Sequence, residues 1–288
     1  MVELNDFANP QTRPKEYKVQ KLQTQYRSLS CIGEIYSKYC YAGILQHSRG
    51  MIPTGKIVLD NSRCLKPLTI VKYPVSDYES IFKAKPLGKS SYHVYSAILA
   101  FEFVRFIATK NASSNSLLRI GVITPYRSQA DIVQHLIQNT DFPNNVSACA
   151  GTIHGFQGDE CETILALFNP TPGMIPKSFF NNKNIVNVAV SRAKDSFVLL
   201  MPDSKTKNIE NMIEVRKIEK LMHSQGKEIC DLISAAEIEK AIFGKEDFIE
   251  ENTFITGHQT VNVYGIPEKR YEIRSEENAL DVQILATK

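Results

Sequence analysis

A chain of 288 residues has room for two domains, or for one large domain with an extension, at about 150 residues per domain, and it can bury a substantial core without staples. Hydrophobic residues at 43% and charged residues at 23% are globular values and exclude a largely disordered chain. Lys plus Arg at 34 against Asp plus Glu at 31 leave a net charge of only +3, so a polybasic, histone-like binder is excluded while a local basic groove is not.

In chain order, a polar lead-in over 1–21 precedes a helix over 28–45, with Leu29, Ile32, Ile35, Tyr36, Tyr39 and Cys40 at helical spacing. Residues 50–67 read as loops around a short apolar run at 57–59, and LTIVKY after Pro67 reads as a strand. An amphipathic helix is expected over 92–110, a second strand at 119–124, a helix over 128–138, a third strand at 146–150 and a fourth at 162–168. A helix over 184–194 then leads into a fifth strand, 196–202. Strands alternating with helices predict an α/β domain with a parallel sheet. Beyond Asp203 the composition shifts to a charged helix over 205–225, another over 231–243, and β-rich segments containing TVNVY and RYEIR. Residues 204–288 are therefore expected to form a smaller α+β appendage.

The six cysteines, at 31, 40, 64, 149, 161 and 230, contain no C-x-x-C pair and indicate neither a zinc cage nor a disulfide framework. Buried thiols in a reducing compartment are expected. The N-terminal stretch carries charges and prolines where a signal peptide needs an apolar run, and no segment reaches ~18 uninterrupted apolar residues. These features predict a cytoplasmic protein with no membrane partner.

Ligands of open parallel sheets bind beyond the carboxyl ends of the strands, which directs attention to the loops that follow them. After the second strand stands Thr124-Pro125-Tyr126-Arg127-Ser128-Gln129, and after the third Gly151-Thr152-Ile153-His154-Gly155-Phe156-Gln157-Gly158-Asp159-Glu160. Before the fifth stands Asn187-Val188-Ala189-Val190-Ser191-Arg192-Ala193-Lys194. The middle loop presents a hydroxyl, an imidazole and a carboxylate on a glycine-bearing turn whose amides can approach phosphates. Equally, Gly155 and Gly158 can serve as turn residues and Thr152 and Asp159 as caps. Lys194 reads as a solvated charge at a helix end.

Taken with Leu22-Gln23-Thr24-Gln25-Tyr26-Arg27 upstream and VAVSRAK downstream, these loops resemble the later motifs of superfamily 1 helicases. The likeness is to their second, RecA-like motor domain, in the branch with QYR, TPY and FQG signatures, and it runs over residues 22–203. The resemblance implies a RecA-like sheet and assigns roles by position. Tyr26 would stack on the adenine of ATP, with Gln25 beside it; Arg27 and Arg192 would reach its γ-phosphate, Arg192 as an arginine finger. Gly158 and Glu160 would line the nucleotide side, Glu160 near the ribose. Thr124, Tyr126, Thr152 and His154 would face a single strand of DNA or RNA.

Such motors also need a phosphate-binding loop and a magnesium-binding Asp-Glu pair, carried by the first RecA-like domain. The stretch from Gly50 to Ile57 fits the G-x-x-x-x-G-K spacing, but Ile57 has no hydroxyl for Mg2+ and a strand-like run follows it. Asp159-Glu160 follows a polar loop instead of ending an apolar strand. The chain is therefore expected to be half of an ATPase, needing a first RecA-like domain in cis or in trans for the Mg2+ ligands. The rival expectation is a non-catalytic RecA-like nucleic-acid-binding or interaction module.

Overall fold

The computed structural model describes Gln11, residues 22–51, 64–156 and 158–252, together with the backbone of 253–256, 260–265, 269–276 and 279–286. The lead-in, apart from Gln11, and residues 52–57 of the Gly-Lys near miss lie outside the described residues. The chain begins with a two-residue strand β1 (Thr24–Gln25), helix α1 (Ser30–Cys40) and β2 (Gln46–His47), which pairs in parallel with β1. Then follow β3 (Leu68–Tyr73), a hairpin of β4 (Lys85–Leu87) and β5 (Ser90–Tyr92), and helix α2 (Val94–Lys110). Next come β6 (Leu118–Thr124), α3 (Arg127–Gln138), β7 (Val146–Thr152), β8 (Cys161–Leu167), α4 (Lys183–Ser191) and β9 (Ala193–Pro202). The last of the main body are α5 (Ile213–His223), β10 (Cys230–Ser234), α6 (Ala235–Phe243) and the short α7 (Phe248–Glu251).

Six of these strands form one sheet in the order β10-β3-β9-β8-β6-β7, with every pairing parallel. The central strands β3, β6, β8 and β9 carry apolar side chains on both faces, as a parallel sheet covered by helices on either side requires. Val71, Leu165, Leu167, Val198 and Leu200 point into one core with α2, α3 and α6; Ile70, Ile164, Ala166, Phe197, Leu199 and Met201 point into the other with α1, α4 and α5. This is the RecA-like α/β sheet flanked by helices that the sequence predicts. Backbone strands β11 (Thr253–Thr256), β12 (Thr260–Gly265), β13 (Lys269–Glu276) and β14 (Ala279–Ala286) make a separate four-stranded antiparallel sheet.

Several expectations are corrected. The helix expected over 231–243 is a strand followed by a helix: Ser234 accepts the Glu237 N–H at 3.2 Å while the Glu237 carboxylate accepts the Ser234 N–H at 2.8 Å, a capping box that starts α6 after β10. Because β10 pairs with β3, the main sheet continues past the boundary expected at Asp203. The charged helix expected from 205 starts only at Ile213, since the Asp203 carboxylate accepts the N–H groups of Lys205 and Thr206 at 3.0 Å each and Asn208 takes a left-handed φ of 58°. Helix α2, expected to be amphipathic, is buried almost all round between the sheet, α3 and α6.

The crossover from β7 to β8 uses a loop instead of a helix. Phe156 seats it, its ring lying where side chains at Gly121 and Gly151 would be: a Cβ at either glycine would stand 3.0 Å from the ring. On the opposite face, His93 caps α2 by accepting the Ser96 N–H through Nδ1 at 3.2 Å, and its Nε2–H donates to Phe82 O at 2.9 Å. Complete burial depresses the His93 pKa to about 4.

Candidate functional site

The residues singled out from the sequence gather at two opposite edges of the sheet. The first group lies at the amino ends of β8 and β9, where the motif expected before the fifth strand falls and where Glu160, at the end of the loop expected after the third, also lies. Arg27, just ahead of α1, donates its Nε–H to Glu160 at 2.6 Å and its Nη1 to Ser191 O at 3.1 Å. Glu160, just ahead of β8, also receives Lys194 Nζ at 2.7 Å. Lys194 first, and then Arg27, hold the Glu160 carboxyl below the usual carboxylate range.

Arg192 caps the end of α4 and is held by backbone alone, donating to Asp159 O at 3.2 Å and to Val188 O at 3.4 Å. Among the described residues no carboxylate pairs with it. Burial first, and then the charge of Arg27, lower its pKa, although a guanidinium stays protonated at any ordinary pH. Two arginines therefore stand close together, Arg192 half-buried and without a carboxylate partner among the described residues, beside Tyr26, which is 73% exposed. Two neighbouring guanidiniums with donors to spare suit an anion.

The Gln25 side chain makes its hydrogen bonds within its own turn and to the His47 ring, 3.2 Å from Nε2. Its Oε1 accepts the N–H groups of Arg27 at 3.0 Å and Ser28 at 2.9 Å, and its Nε2 donates to Ser28 O at 2.9 Å. The amide is spent on the turn that presents Tyr26 and Arg27. Gly33 makes this possible, because a Cβ there would come within 2.7 Å of the Gln25 amide and 2.5 Å of the His47 ring. Gly158 sits in the turn closed by Asp159 N–H to Phe156 O at 3.1 Å, with φ +107° and open space around it. That backbone conformation needs glycine. Gln157, within the same turn, lies outside the described residues. A cavity of about 540 Å³ beside this edge is lined by Gly158, Asp159 and Glu160, with Arg119, Cys149 and Cys161.

The second group lies at the carboxyl ends of β6 and β7. Tyr126 is half-buried, its ring 6.2 Å from that of Phe179 and 6.4 Å from that of Phe180, and burial pushes its hydroxyl up to about 12. His154 is exposed, with its ring 5.8 Å from Phe179. A cavity of about 670 Å³ runs past Tyr126 and Phe179, rimmed by Lys89, Arg127 and His135. Thr152 accepts the Gly155 N–H at 3.2 Å and so shapes the loop. Thr124 does not face this surface: it is fully buried, and its hydroxyl donates to Asn169 Oδ1 at 3.1 Å.

Sequence reasoning missed four contributors. Lys194 is not a solvated helix-end charge, because α4 stops at Ser191 and Lys194 belongs to β9, where its amine meets Glu160 and, at 3.6 Å, Glu162. Arg49 bridges Arg27 O at 2.7 Å and Asp195 at 2.5 Å and so clamps the first edge. Phe179, 44% exposed, and Lys89 extend the second edge; the doubled phenylalanine at 179–180 and the Gly88-Lys89 hairpin turn were the available signals.

Among the described residues no helix is long and apolar enough to cross a membrane, and no three His, Cys, Asp or Glu side chains cluster to hold a metal ion. Over 190 residues the chain is 28% identical to the DNA replication ATP-dependent helicase/nuclease JHS1 of Arabidopsis thaliana, an alignment covering 62% of this chain and 14% of that protein. It is 25% identical over 181 residues to a "probable helicase" of Dictyostelium discoideum, covering 62% of this chain and 18% of the relative. The chain thus spans less than a fifth of the length of these curated relatives. A solved structure, the C-terminal domain of a "possible DNA helicase" from Lactobacillus plantarum WCFS1, aligns at a TM-score of 0.34 and 10% identity over 72% of this chain and 98% of that one. The model of the AAA domain family AAA_12 matches residues 7–205, more than half of the sequence, and with helicases as curated relatives the chain belongs to that family as a helicase-type domain.

Proposed function

We propose that this chain is the second motor domain of a superfamily 1 ATP-dependent helicase or translocase. In this reading residues 22–203 carry the motor motifs, and the segment after 203 adds β10 and its helices to the same sheet and a separate antiparallel sheet beyond it. Tyr26 is the adenine platform, Arg27 and Arg192 meet the γ-phosphate, and Tyr126 and His154 touch the single strand. The observation that carries the reading is the pair Arg27–Arg192: a half-buried guanidinium hydrogen-bonded to two carbonyls, with another guanidinium as its neighbour. Its remaining donors suit a transferring phosphoryl group, whose charge spreads over three oxygens.

Glu160 orients Arg27 through the 2.6 Å hydrogen bond, and Lys194 keeps Glu160 ionised by sharing it. Gln25 and Gly158 act through the backbone, by fixing the turns on which the contacting groups stand. The residues that would hold the magnesium ion accompanying ATP belong, in this reading, to a first RecA-like domain. Closure of the two domains would bring Arg192 to the phosphate and move the two halves of the strand track together. The relatives' names supply the reaction class, ATP-dependent helicase activity.

The test is steady-state ATPase by the full-length protein or by this chain joined to its first domain. Arg192→Ala is expected to lower kcat by at least ~10³-fold, the scale of other arginine fingers, with single-strand binding unchanged. A variant that hydrolyses ATP normally but no longer binds the strand would move Arg192 to the nucleic-acid face and end this assignment.

A further inference from the structure

The turn that presents Tyr26 and Arg27 is tied to a second segment, residues 46–50. Gln46 N–H donates to Gln23 O at 2.7 Å, Ser48 N–H to Gln25 O at 3.0 Å, and Ser30 N–H to Gly50 O at 3.0 Å, while Arg49 Nη1 donates to Arg27 O at 2.7 Å. Among these contacts to backbone lies one between side chains, from Gln25 Nε2 to His47 Nδ1 at 3.2 Å.

Its polarity follows from the neighbours. Gln25 Oε1 accepts the N–H groups of Arg27 and Ser28, and the carbonyl oxygen is the one atom of a side-chain amide that can do so. The Nε2 end therefore faces His47 as a donor. One of its hydrogens goes to Ser28 O at 2.9 Å, and Nδ1 of the ring accepts the other. The imidazole then carries its proton on Nε2, which donates to Glu34 Oε2 at 3.2 Å, and Glu34 is held in turn by Lys38 at 3.0 Å. A neutral imidazole accepts at one nitrogen and donates at the other, which is what these two neighbours demand. The contact has little slack, because Gly33 of α1 is its floor: a Cβ there would stand 2.5 Å from Nδ1 and 2.7 Å from Gln25 Nε2.

We propose that His47 is a positioning residue of the amino edge: by accepting from Gln25 it fixes the amide that gathers the Arg27 and Ser28 N–H groups, and so fixes the turn on which Tyr26 and Arg27 stand. It touches no nucleotide itself. Without that acceptor the amide turns readily about its last torsion, which has a broad, two-fold preference, and an NH2 group then meets two N–H donors. The use made of the turn rests on the ATPase reading proposed above; the hold of His47 on the turn does not.

Two substitutions separate the two ends of the ring. Asparagine carries its oxygen where Nδ1 stands, so it keeps an acceptor for Gln25 and gives up Glu34. Glutamine reaches the place of Nε2, so it keeps Glu34 and gives up the acceptor. In the full-length protein, or in this chain joined to its first domain, His47→Gln is expected to lower kcat/KM for ATP by about 10²-fold, the scale for a contacting group displaced by about 1 Å, and His47→Asn to recover at least ~10-fold of that loss. Gly33→Ala favours the helix but pushes the ring and the amide apart, and it should fall with His47→Gln. In this chain alone, hydrogen exchange at the Arg27 and Ser28 amides, read by NMR, should be faster in His47→Gln than in the parent and close to the parent in His47→Asn. Equal exchange in His47→Gln and the parent would overturn the proposal, as would a His47→Asn protein more impaired than His47→Gln, which would show that the ring serves Glu34 instead. Arg192→Ala, measured alongside, keeps the two readings apart: normal turnover in that variant would end the ATPase assignment, and exchange at Arg27 and Ser28 would then decide the role of His47.

Discussion

At the edge where β8 and β9 begin, Arg192 is held by two carbonyl groups and faces Arg27, and its value rests on its shape as well as its charge. A lysine there keeps the charge but has one compact ammonium in place of a planar fork. Arg192→Lys is therefore expected to stay within about threefold of Arg192→Ala in kcat, by the geometric argument for bidentate phosphate contacts; recovery of near-normal turnover would show that charge alone suffices. A second residue sets a pH limit on the fold. His93 is locked as the neutral tautomer, with Nδ1 accepting and Nε2–H donating, and its folded pKa of about 4 lies below the ordinary ~6.5. Between these values the unfolded chain binds the proton more readily, so stability is full above about pH 6.5 and is lost as pH falls towards 4. The loss approaches roughly 3 kcal/mol at 1.36 kcal/mol per pK unit. Denaturant unfolding at pH 7 and pH 4.5 measures it; His93→Asn, which keeps an N-cap acceptor, should flatten this part of the profile even if it lowers the plateau. An unchanged slope would rule His93 out as the titrating group.

Among the elements, α6 shows how a local rule decides a boundary. Ser234 and Glu237 satisfy each other's backbone donors, so Ser234→Ala should cost ~1 kcal/mol in urea unfolding, and a change below ~0.3 kcal/mol would mean that packing on β3 alone holds α6 in place. The same motif explains a misreading. Strands β3, β6, β8 and β9 were legible because each contains a run of apolar residues long enough to supply both faces of a sheet. Strand β10, Cys-Asp-Leu-Ile-Ser, lies at the sheet edge with a polar residue and an exposed leucine, and by periodicity it merged into the helix after it; Ser234-x-x-Glu237 was the signal that separates them. Two-residue strands such as β1 and β2 carry no period at all. At the site, the sequence could nominate Arg27, Glu160 and Arg192 and place Arg192 ahead of its strand, but not that Arg27, far away in the chain, meets Glu160 there, because that contact is made only by the folded sheet. Gln25, Thr124 and Thr152 could be nominated as polar groups, yet only the folded chain reveals that their hydrogen bonds are spent internally.

On the scale of the whole molecule, the proposed reading divides the labour between two edges, and their separation makes a joint test. The carboxyl edge offers exposed aromatic surface at Phe179 and His154 with Tyr126 beneath, and three basic side chains along the cavity rim, one of which, Arg127, is already paired with Asp131 at 2.7 Å. With a net charge of +3 and so few free cations, strand binding by this chain should be weak and should depend only shallowly on salt, each neutralised phosphate contributing a slope of about 0.7 for single strands. Stacking should then supply a large share. Phe179→Ala is expected to weaken binding of a short fluorescent oligonucleotide by roughly 5-fold to 100-fold, from ~1–3 kcal/mol per stacked base, with the salt slope unchanged, whereas Lys89→Ala should reduce the slope by about one phosphate's worth. Arg192→Ala, at the opposite edge, should leave both quantities alone, and the chain by itself should show no ATP turnover with or without the oligonucleotide. Fluorescence anisotropy across a salt series, with phosphate release on the same preparations, measures all four. If Phe179→Ala binds like the parent while Arg192→Ala does not, the strand lies on the amino edge and the division of roles argued from the sheet is reversed; Mg2+-dependent turnover by the chain alone, abolished by Arg192→Ala, would instead mean that the phosphate and metal ligands are complete within these 288 residues.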